Sequence, residues 1–133
     1  AALFPRRYAM ADAVTSQMLV DGPRRVVIKL TNASDGTGES AVLKVDVSTL
    51  VGAPDRVRIN RIHYNTNGMS ARLLWDATTD VTICELAGSG TLDFTEFGGL
   101  SNNAGAGVTG DILLTTVGHS SGDSYLLVLE MSK

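Results

Sequence analysis

From Pro23 onward the apolar residues of this chain recur at alternate positions, in short runs separated by glycine-rich stretches. The segment RRVVIKLTN sets Val26, Ile28 and Leu30 on one face and Val27, Lys29 and Thr31 on the other. AVLKVDVSTL turns Leu43, Val45 and Val47 inward and Lys44, Asp46 and Ser48 outward. A period of two marks a half-buried strand, because successive side chains leave opposite faces of the pleat. In RVRINRIHYN the phase breaks: Val57 and Ile59 share one parity, Ile62 and Tyr64 the other. Such a break inside one run predicts a bulge or a change of sheet. MSARLLWDA, VTICELAG, TLDF, GDILLTTVG and SYLLVLEMS bring the candidate strands to about eight. No helical pattern longer than two turns follows Pro23.

Short strands joined by Asn-Gly, Gly-Ser-Gly, Gly-Gly and Ser-Gly turns predict an all-β domain: a single antiparallel β-sandwich, jelly-roll-like. Two strands are apolar on both faces. SYLLVLEM opposes Leu126 and Val128 to Leu127, Leu129 and Met131, and RLLWD opposes Leu73 and Trp75 to Leu74. Such strands lie either inside the sheet or beneath a neighbouring subunit. EFGGLSNNAGAGVTGD is a loop of small residues, a surface excursion or a contact segment.

The first 23 residues differ from the rest, which divides the chain into an extended N-terminal arm, 1–23, and a domain, 24–133. The arm shows no strand alternation and ends at the Asp21-Gly22-Pro23 turn. It nevertheless holds Leu3, Phe4, Tyr8, Met18 and Leu19, too many apolar side chains for a solvent tail, beside the pair Arg6 and Arg7. The arm is therefore expected to bury these groups on another chain, with the arginines meeting acidic residues there. No part of it forms the continuous apolar stretch of a signal peptide, and no run reaches the roughly 20 apolar residues of a membrane helix. A soluble chain made in a cytoplasm is expected, with no membrane partner.

With 133 residues the chain suits one domain that needs no disulfide or metal to hold its core. A net charge of −3 and an aromatic share of 5% argue against nucleic acid as a partner and against stacking on sugars. The charges are unevenly placed. Residues 1–72 carry ten basic and six acidic groups, residues 73–133 one basic and eight acidic. Either the two halves intermingle in one fold, or opposite-signed faces meet copies or partners. Cys84 is the single cysteine, so no disulfide forms within the chain, and its strand-like setting VTICELAG fits a small buried apolar residue.

Two polar segments hold the residue types of reactive sites. Asp35-Gly36-Thr37-Gly38-Glu39-Ser40 is not a phosphate loop, because Glu39 stands where that loop needs lysine and a strand follows instead of a helix. Its order, Asp-Gly-Thr-Gly, is not the Asp-Thr-Gly of aspartic proteases. Asp35, Thr37 and Glu39 alternate as calcium ligands can, without the spacing of an EF-hand. His119-Ser120-Ser121-Gly122-Asp123-Ser124 gathers Ser, His and Asp too closely for a triad, whose members come from distant parts of a chain. Both segments are expected to turn the chain, with glycines at positive φ. His63 has no nameable second metal ligand, and Arg56, Arg58, Arg61 and Arg72 fit a solvated sheet face or a partner contact. No catalytic residue, metal or cofactor is expected.

The stretches VVIKLTNASDGTGESAVLKVDVSTL, MSARLLWDATTDV, GGL and GDILLTTVGHSSGDSYLLVLEMSK resemble a group of small structural proteins of tailed bacteriophages. These recur in the virion gene blocks of phages of aquatic and soil bacteria. The resemblance runs from about Val26 to Lys133 and weakens in the arm. It implies a non-enzymatic virion component, first a capsid decoration (cement) protein that binds the major capsid protein and stabilises the shell. A tail, neck or baseplate component is the alternative. It further implies residence in the virion and a homo-oligomer, with a trimer among the options. A carbohydrate-binding module is the competing non-viral class.

Overall fold

The computed structural model describes residues 13–36 and 38–133. Seven strands account for the fold: β1 Ala13–Asp21, β2 Arg25–Ala33, β3 Val42–Val45, β4 Arg58–Trp75, β5 Val81–Asp93, β6 Ile112–Val117 and β7 Ser124–Ser132. All pairings are antiparallel, in the order β1-β2-β7-β4-β6-β3, with β5 on the other edge of β4. The result is an all-β protein built on one antiparallel, nearly closed sheet. Among the described residues its only helical pieces are two single 3-10 turns, Val47–Thr49 and Thr95–Phe97.

β4 organises this sheet. It runs 18 residues without a break and is paired along nearly its whole length. Its first part, Arg58–Asn67, pairs β7, and its last part, Ser70–Trp75, pairs β6. β6 and β7 thus follow one another along the same edge, as one strand interrupted at 118–123. β2 and β3 do the same one step out: β2 pairs β7, β3 pairs β6, and residues 34–41 interrupt them. The interruptions lie level with one another, and there the sheet bends. On β5 the bend falls at Gly88, which alone spans the register shift opposite residues 66–69 of β4.

A strand that bends must keep its apolar side chains facing one core, and β4 does so with two phase corrections. Ile59 pairs Met131 and Arg61 pairs Glu130, so Asn60 is an extra residue; this is the bulge expected from the phase break. Past it Ile62 and Thr66 point inward. The second correction follows at Asn67 and Gly68 (φ +78°), after which Met69, Ala71, Leu73 and Trp75 are buried. At this bend the Thr66 hydroxyl replaces the ladder, accepting from Gly88 N at 2.7 Å and donating to Gly88 O at 3.3 Å. Both halves of the sheet feed one hydrophobic cluster, from Val26, Ile28, Leu30, Leu127 and Leu129 on one side to Val45, Ile112, Leu114 and Trp75 on the other.

Three expectations change. Leu43 was expected inward with Val45 and Val47, and it is 48% exposed while Val45 is at 1%. The cause is a bulge: Leu43 pairs Leu113 and Val45 pairs Ile112, leaving Lys44 as the extra residue. Lys44, expected outward, instead has a buried side chain. The residues 1–23 were expected to lie off the sheet. Where they are described, Ala13–Asp21 form an edge strand paired with β2 from Ala13↔Ala33 to Asp21↔Val26. Finally, β7 lies inside the sheet, but only its inward face is buried in this chain; Leu126 is exposed and Val128 half-buried.

These placements predict opposite outcomes for two neighbouring substitutions. Val45→Asp should unfold the protein, because an unpaired buried carboxylate costs several kcal/mol. Leu43→Asp, on the exposed side of the bulge, should change stability by about 0.5 kcal/mol or less. Thermal unfolding followed by circular dichroism separates them, and equal melting temperatures would place the bulge wrongly.

Candidate functional site

The two polar segments that looked like chemistry are brought side by side at the bend. The β2–β7 ladder continues into it, with Ser34 N donating to Asp123 O at 2.7 Å and Gly122 N to Ser34 O at 2.9 Å. The β3–β6 side begins where Thr116 N donates to Glu39 O at 3.0 Å. Between these points the regular ladder fails, and side chains supply the missing partners. Glu39 N donates to the Thr116 hydroxyl at 2.9 Å, Ala41 N to the Thr115 hydroxyl at 2.8 Å, and Ser120 N to the Asp123 carboxylate at 2.8 Å. Thr116 Oγ1 also meets His119 Nδ1 at 3.1 Å.

Glu39 is the centre of this junction. It is 8% exposed, and both its carboxylate oxygens are engaged. Tyr125 donates its hydroxyl to Oε2 at 2.6 Å, Asn32 its amide to the same oxygen at 3.0 Å, and the Lys44 ammonium meets Oε1. Both side chains of the ion pair are buried, and either partner alone would be a buried, uncompensated charge. The arrangement ties β2, the 34–41 crossing, β3 and β7 together. It presents no open carboxylate to a substrate. Gly38 (φ +77°) and Gly122 (φ +92°) have the positive φ expected of them. At Gly38 a Cβ would also run into the His119 ring, whereas at Gly122 it would meet open space. His119, Ser121 and Asp123 do not assemble as a triad: His119 faces Thr116, and Asp123 caps Ser120.

The other candidates disperse. Cys84 sits on β5 opposite Leu73, and burial pushes its thiol up to about 11, away from thiolate chemistry. His63 lies on the outward face of the sheet, its Nε2 2.5 Å from Glu130 and its Nδ1 3.1 Å from Thr91 Oγ1. Around the same glutamate stand Arg25 at 3.2 Å and Arg61 at 3.7 Å, and Arg61 reaches Asp93 at 3.3 Å. Arg72 pairs Glu85 at 2.7 Å, and Lys133 pairs Asp21 at 2.6 Å. The basic first half and acidic second half therefore meet inside one chain. The described residues hold no group of three His, Cys, Asp or Glu placed to bind a metal, and no helix long and apolar enough to cross a membrane.

Of the expected partner-binding residues, Leu3, Phe4, Arg6, Arg7 and Tyr8 lie outside the described residues. Met18 and Leu19 lie on β1, and both are exposed. They belong to a larger feature that the alternation pattern did not reveal. β1 and β3 end the strand order, so each has one edge without a partner strand, as does β5, which pairs β4 alone. Between them opens a cleft of about 320 Å³ lined by Ser16, Met18, Ile28, Leu43, Val45 and Leu50, among others. Nine large apolar residues are exposed among those described, and six of them, Val14, Met18, Leu19, Val20, Val42 and Leu43, sit on these two strands. No protein-family model matches the chain, and no curated protein and no solved structure matches it.

Two predictions concern the bend and the outward ion pairs. Gly38→Ala should destabilise by about 2 kcal/mol, through positive φ and the collision with His119, and Gly122→Ala by about 1 kcal/mol, through φ alone. His119→Ala added to Gly38→Ala should recover part of the loss, a coupling of at least about 0.5 kcal/mol in urea unfolding. Strict additivity would mean that the ring does not abut Gly38.

The carboxyls of Asp21, Glu85, Asp93 and Glu130 are all held below their ordinary range, chiefly by hydrogen bonds from Lys133, Arg72, Thr95 and His63 respectively. A carboxyl more acidic in the folded than the unfolded chain stabilises fully above its unfolded value, about 4, and less as pH falls through its folded value. Stability should therefore decline as pH drops below about 5. Glu130→Gln should flatten that decline when urea midpoints are compared between pH 6 and 3. An unchanged slope would show that Glu130 carries none of it.

Proposed function

We propose that this chain is a structural subunit without catalytic chemistry, which assembles with copies of itself through β1 and β3, two of the three described strands with an unpaired edge. The observation that carries this is the concentration of exposed apolar side chains on β1 and β3, beside the cleft between them. An unpaired strand edge invites further pairing, and proteins that stay alone protect such edges with lysine, proline, inward charges or a short strand. β1 has nine residues, AVTSQMLVD, with no lysine or proline. Its single charge, Asp21, is held by Lys133. An edge left so bare is best explained by a covering neighbour.

The resemblance of residues 26–133 to small virion proteins of tailed phages supplies the setting. In that setting the chain is a capsid decoration protein, its bent sheet a β-sandwich of jelly-roll type, its partners the major capsid protein and its own copies. A carbohydrate-binding module would present a platform of aromatic side chains. Among the described residues Trp75 and Tyr125 are buried instead, and Phe97 is the exposed large aromatic.

The expected result is a multimer in solution for the unaltered protein, read by light scattering after size exclusion. Met18→Lys with Leu43→Lys, both at exposed positions, should shift it towards monomer without lowering the melting temperature of the fold. Co-sedimentation with purified phage particles tests the setting separately. A protein that is monomeric at every concentration and ignores particles would overturn the proposal.

A further inference from the structure

The four arginines at 56, 58, 61 and 72 divide into two kinds. Arg61 and Arg72 are paired with carboxylates, as described above. Among the described residues, Arg56 and Arg58 form no ion pair. Both are exposed, Arg58 as the first residue of β4 and Arg56 two residues before it, and Arg58 makes a long bond from Nη1 to the Gly98 carbonyl, at 3.4 Å. They line one surface hollow of about 240 Å³ together with Val57, Ser101, Asn102 and Lys133.

Asn102 gives this hollow its chemistry. The residue is 8% exposed, and its Oδ1 accepts from Ala104 N at 2.9 Å, which fixes the amide so that the NH2 faces away from that turn. The Nδ2 is buried with no hydrogen-bond partner. Buried donors of this kind are rare in folded proteins, and each calls for an explanation. The loop that carries Asn102 is not loosely placed. Leu100 exchanges two backbone bonds with Ile59, at 3.1 and 2.8 Å, and Gly99 takes φ +96° where a Cβ would press on Asn60. Ser101 and Asn102 are thereby set against the first residues of β4.

The charge balance of the hollow is positive. Lys133 is already neutralised, its Nζ bonded to Asp21 Oδ1, Gly22 O and Val51 O. The nearest acid in sequence, Asp55, lines a neighbouring hollow with Ser48 and Thr109, which Arg56 also borders, and forms no ion pair with Arg56. What remains is two unpaired guanidinium forks, one hydroxyl and one unpartnered amide. Such a set of donors recognises an acceptor-only group, and paired guanidinium forks match the oxygens of carboxylate and phosphate. We infer that this hollow binds an oxyanion, a phosphate or carboxylate group, bridged by Arg56 and Arg58 and accepting from the Asn102 amide as the Arg58 side chain swings onto it. The hollow takes no lining residue from β1 or β3, and the inference holds whether or not those edges assemble copies.

The test is a nitrogen–proton NMR titration of the full chain, in which the Asn102 side-chain NH2 and the arginine Nε–H signals are read directly. Inorganic phosphate, glutarate and chloride are compared at matched ionic strength. Saturable shifts of the Asn102 and Arg58 signals with phosphate or glutarate, and not with chloride, are expected. The stronger of the two anions identifies the source as a phosphate group or as a carboxylate such as an acidic side chain. Arg56→Gln and Arg58→Gln should each weaken binding at least fivefold, and Arg58→Lys less than Arg58→Gln. Asn102→Asp keeps the acceptor for Ala104 while placing an oxygen where the NH2 stood, and it should abolish binding. Shifts no larger than those of chloride, or unchanged affinity in both glutamine variants, would overturn the inference.

Discussion

Everything in this fold depends on β4 serving two halves of a sheet at once. A strand paired with β7 at one end and β6 at the other must bend, and a bent strand with strict alternation would turn half its apolar residues to solvent. The two phase corrections, one at Asn60 and one across residues 66–69, restore the phase each time. That is why Ile59, Ile62 and Trp75 can share one core although their sequence parities differ. The neighbouring strands inherit the same demand. β6 and β7, and β2 and β3, meet it by leaving the ladder for several residues and rejoining it beyond the bend.

Leaving the ladder strands backbone donors and acceptors, some buried, as at Glu39, and others exposed, as at Ala41 and Ser120, and the buried ones must find partners. The polar composition of residues 34–40 and 118–124 follows from that need. Hydroxyls of Thr115 and Thr116 and the carboxylate of Asp123 accept from the backbone groups that the interrupted strands leave over. Glu39 goes further. With Lys44, Asn32 and Tyr125 around it, it joins four segments, each contributing a group that would be costly to bury alone. Residue types shared with catalytic sites are here because a folded junction and an active site both need many hydrogen bonds in little space. The difference is saturation: at this junction both Glu39 oxygens are already taken.

How much of this was legible in the sequence depended on whether a local pattern carried it. Strand segments from Arg25 onward and the bulge at Asn60 were readable, since alternation and its break are short-range signals. Asn67-Gly68 and Gly88-Ser89-Gly90, expected as turns, instead lie inside β4 and β5, so four candidate strands are two. So were the glycines at 38 and 122, because tight polar turns need positive φ. The bulge at Lys44 was not, because LKV continues the alternation without a flaw; only the pairing partner Leu113 shows that the strand carries one residue too many. β1 was hidden for a related reason. Its register slips between Met18 and Val20, so Leu19 breaks the period that would have identified the strand. The Glu39 junction and the Asn102 hollow lay beyond any local pattern. Tyr125 is 86 residues from Glu39, and nothing near Asn102 in the chain announces that Arg56 and Arg58 will stand beside it.

The ion pairs bear on how this protein can meet others. Charge asymmetry along a chain could steer association between opposite-signed faces, yet here Arg25, Arg61, Arg72 and Lys133 each find a carboxylate within their own chain, three of them in the opposite half of the sequence and Lys133 at Asp21 likewise. The exposed pairs among them, Arg61–Asp93 and Arg72–Glu85, contribute little stability, whereas Lys133 and Asp21 are largely buried. The larger consequence of all these pairs is that part of the basic charge is used internally, which weakens its long-range attraction to a partner. The apolar side chains of β1 and β3 are then the strongest attraction the described surface has to offer, and burying them gains free energy in proportion to area at any ionic strength. Self-association through those edges should thus be nearly indifferent to salt, in contrast to the Arg56–Arg58 hollow, where screening acts directly on the two unpaired cations.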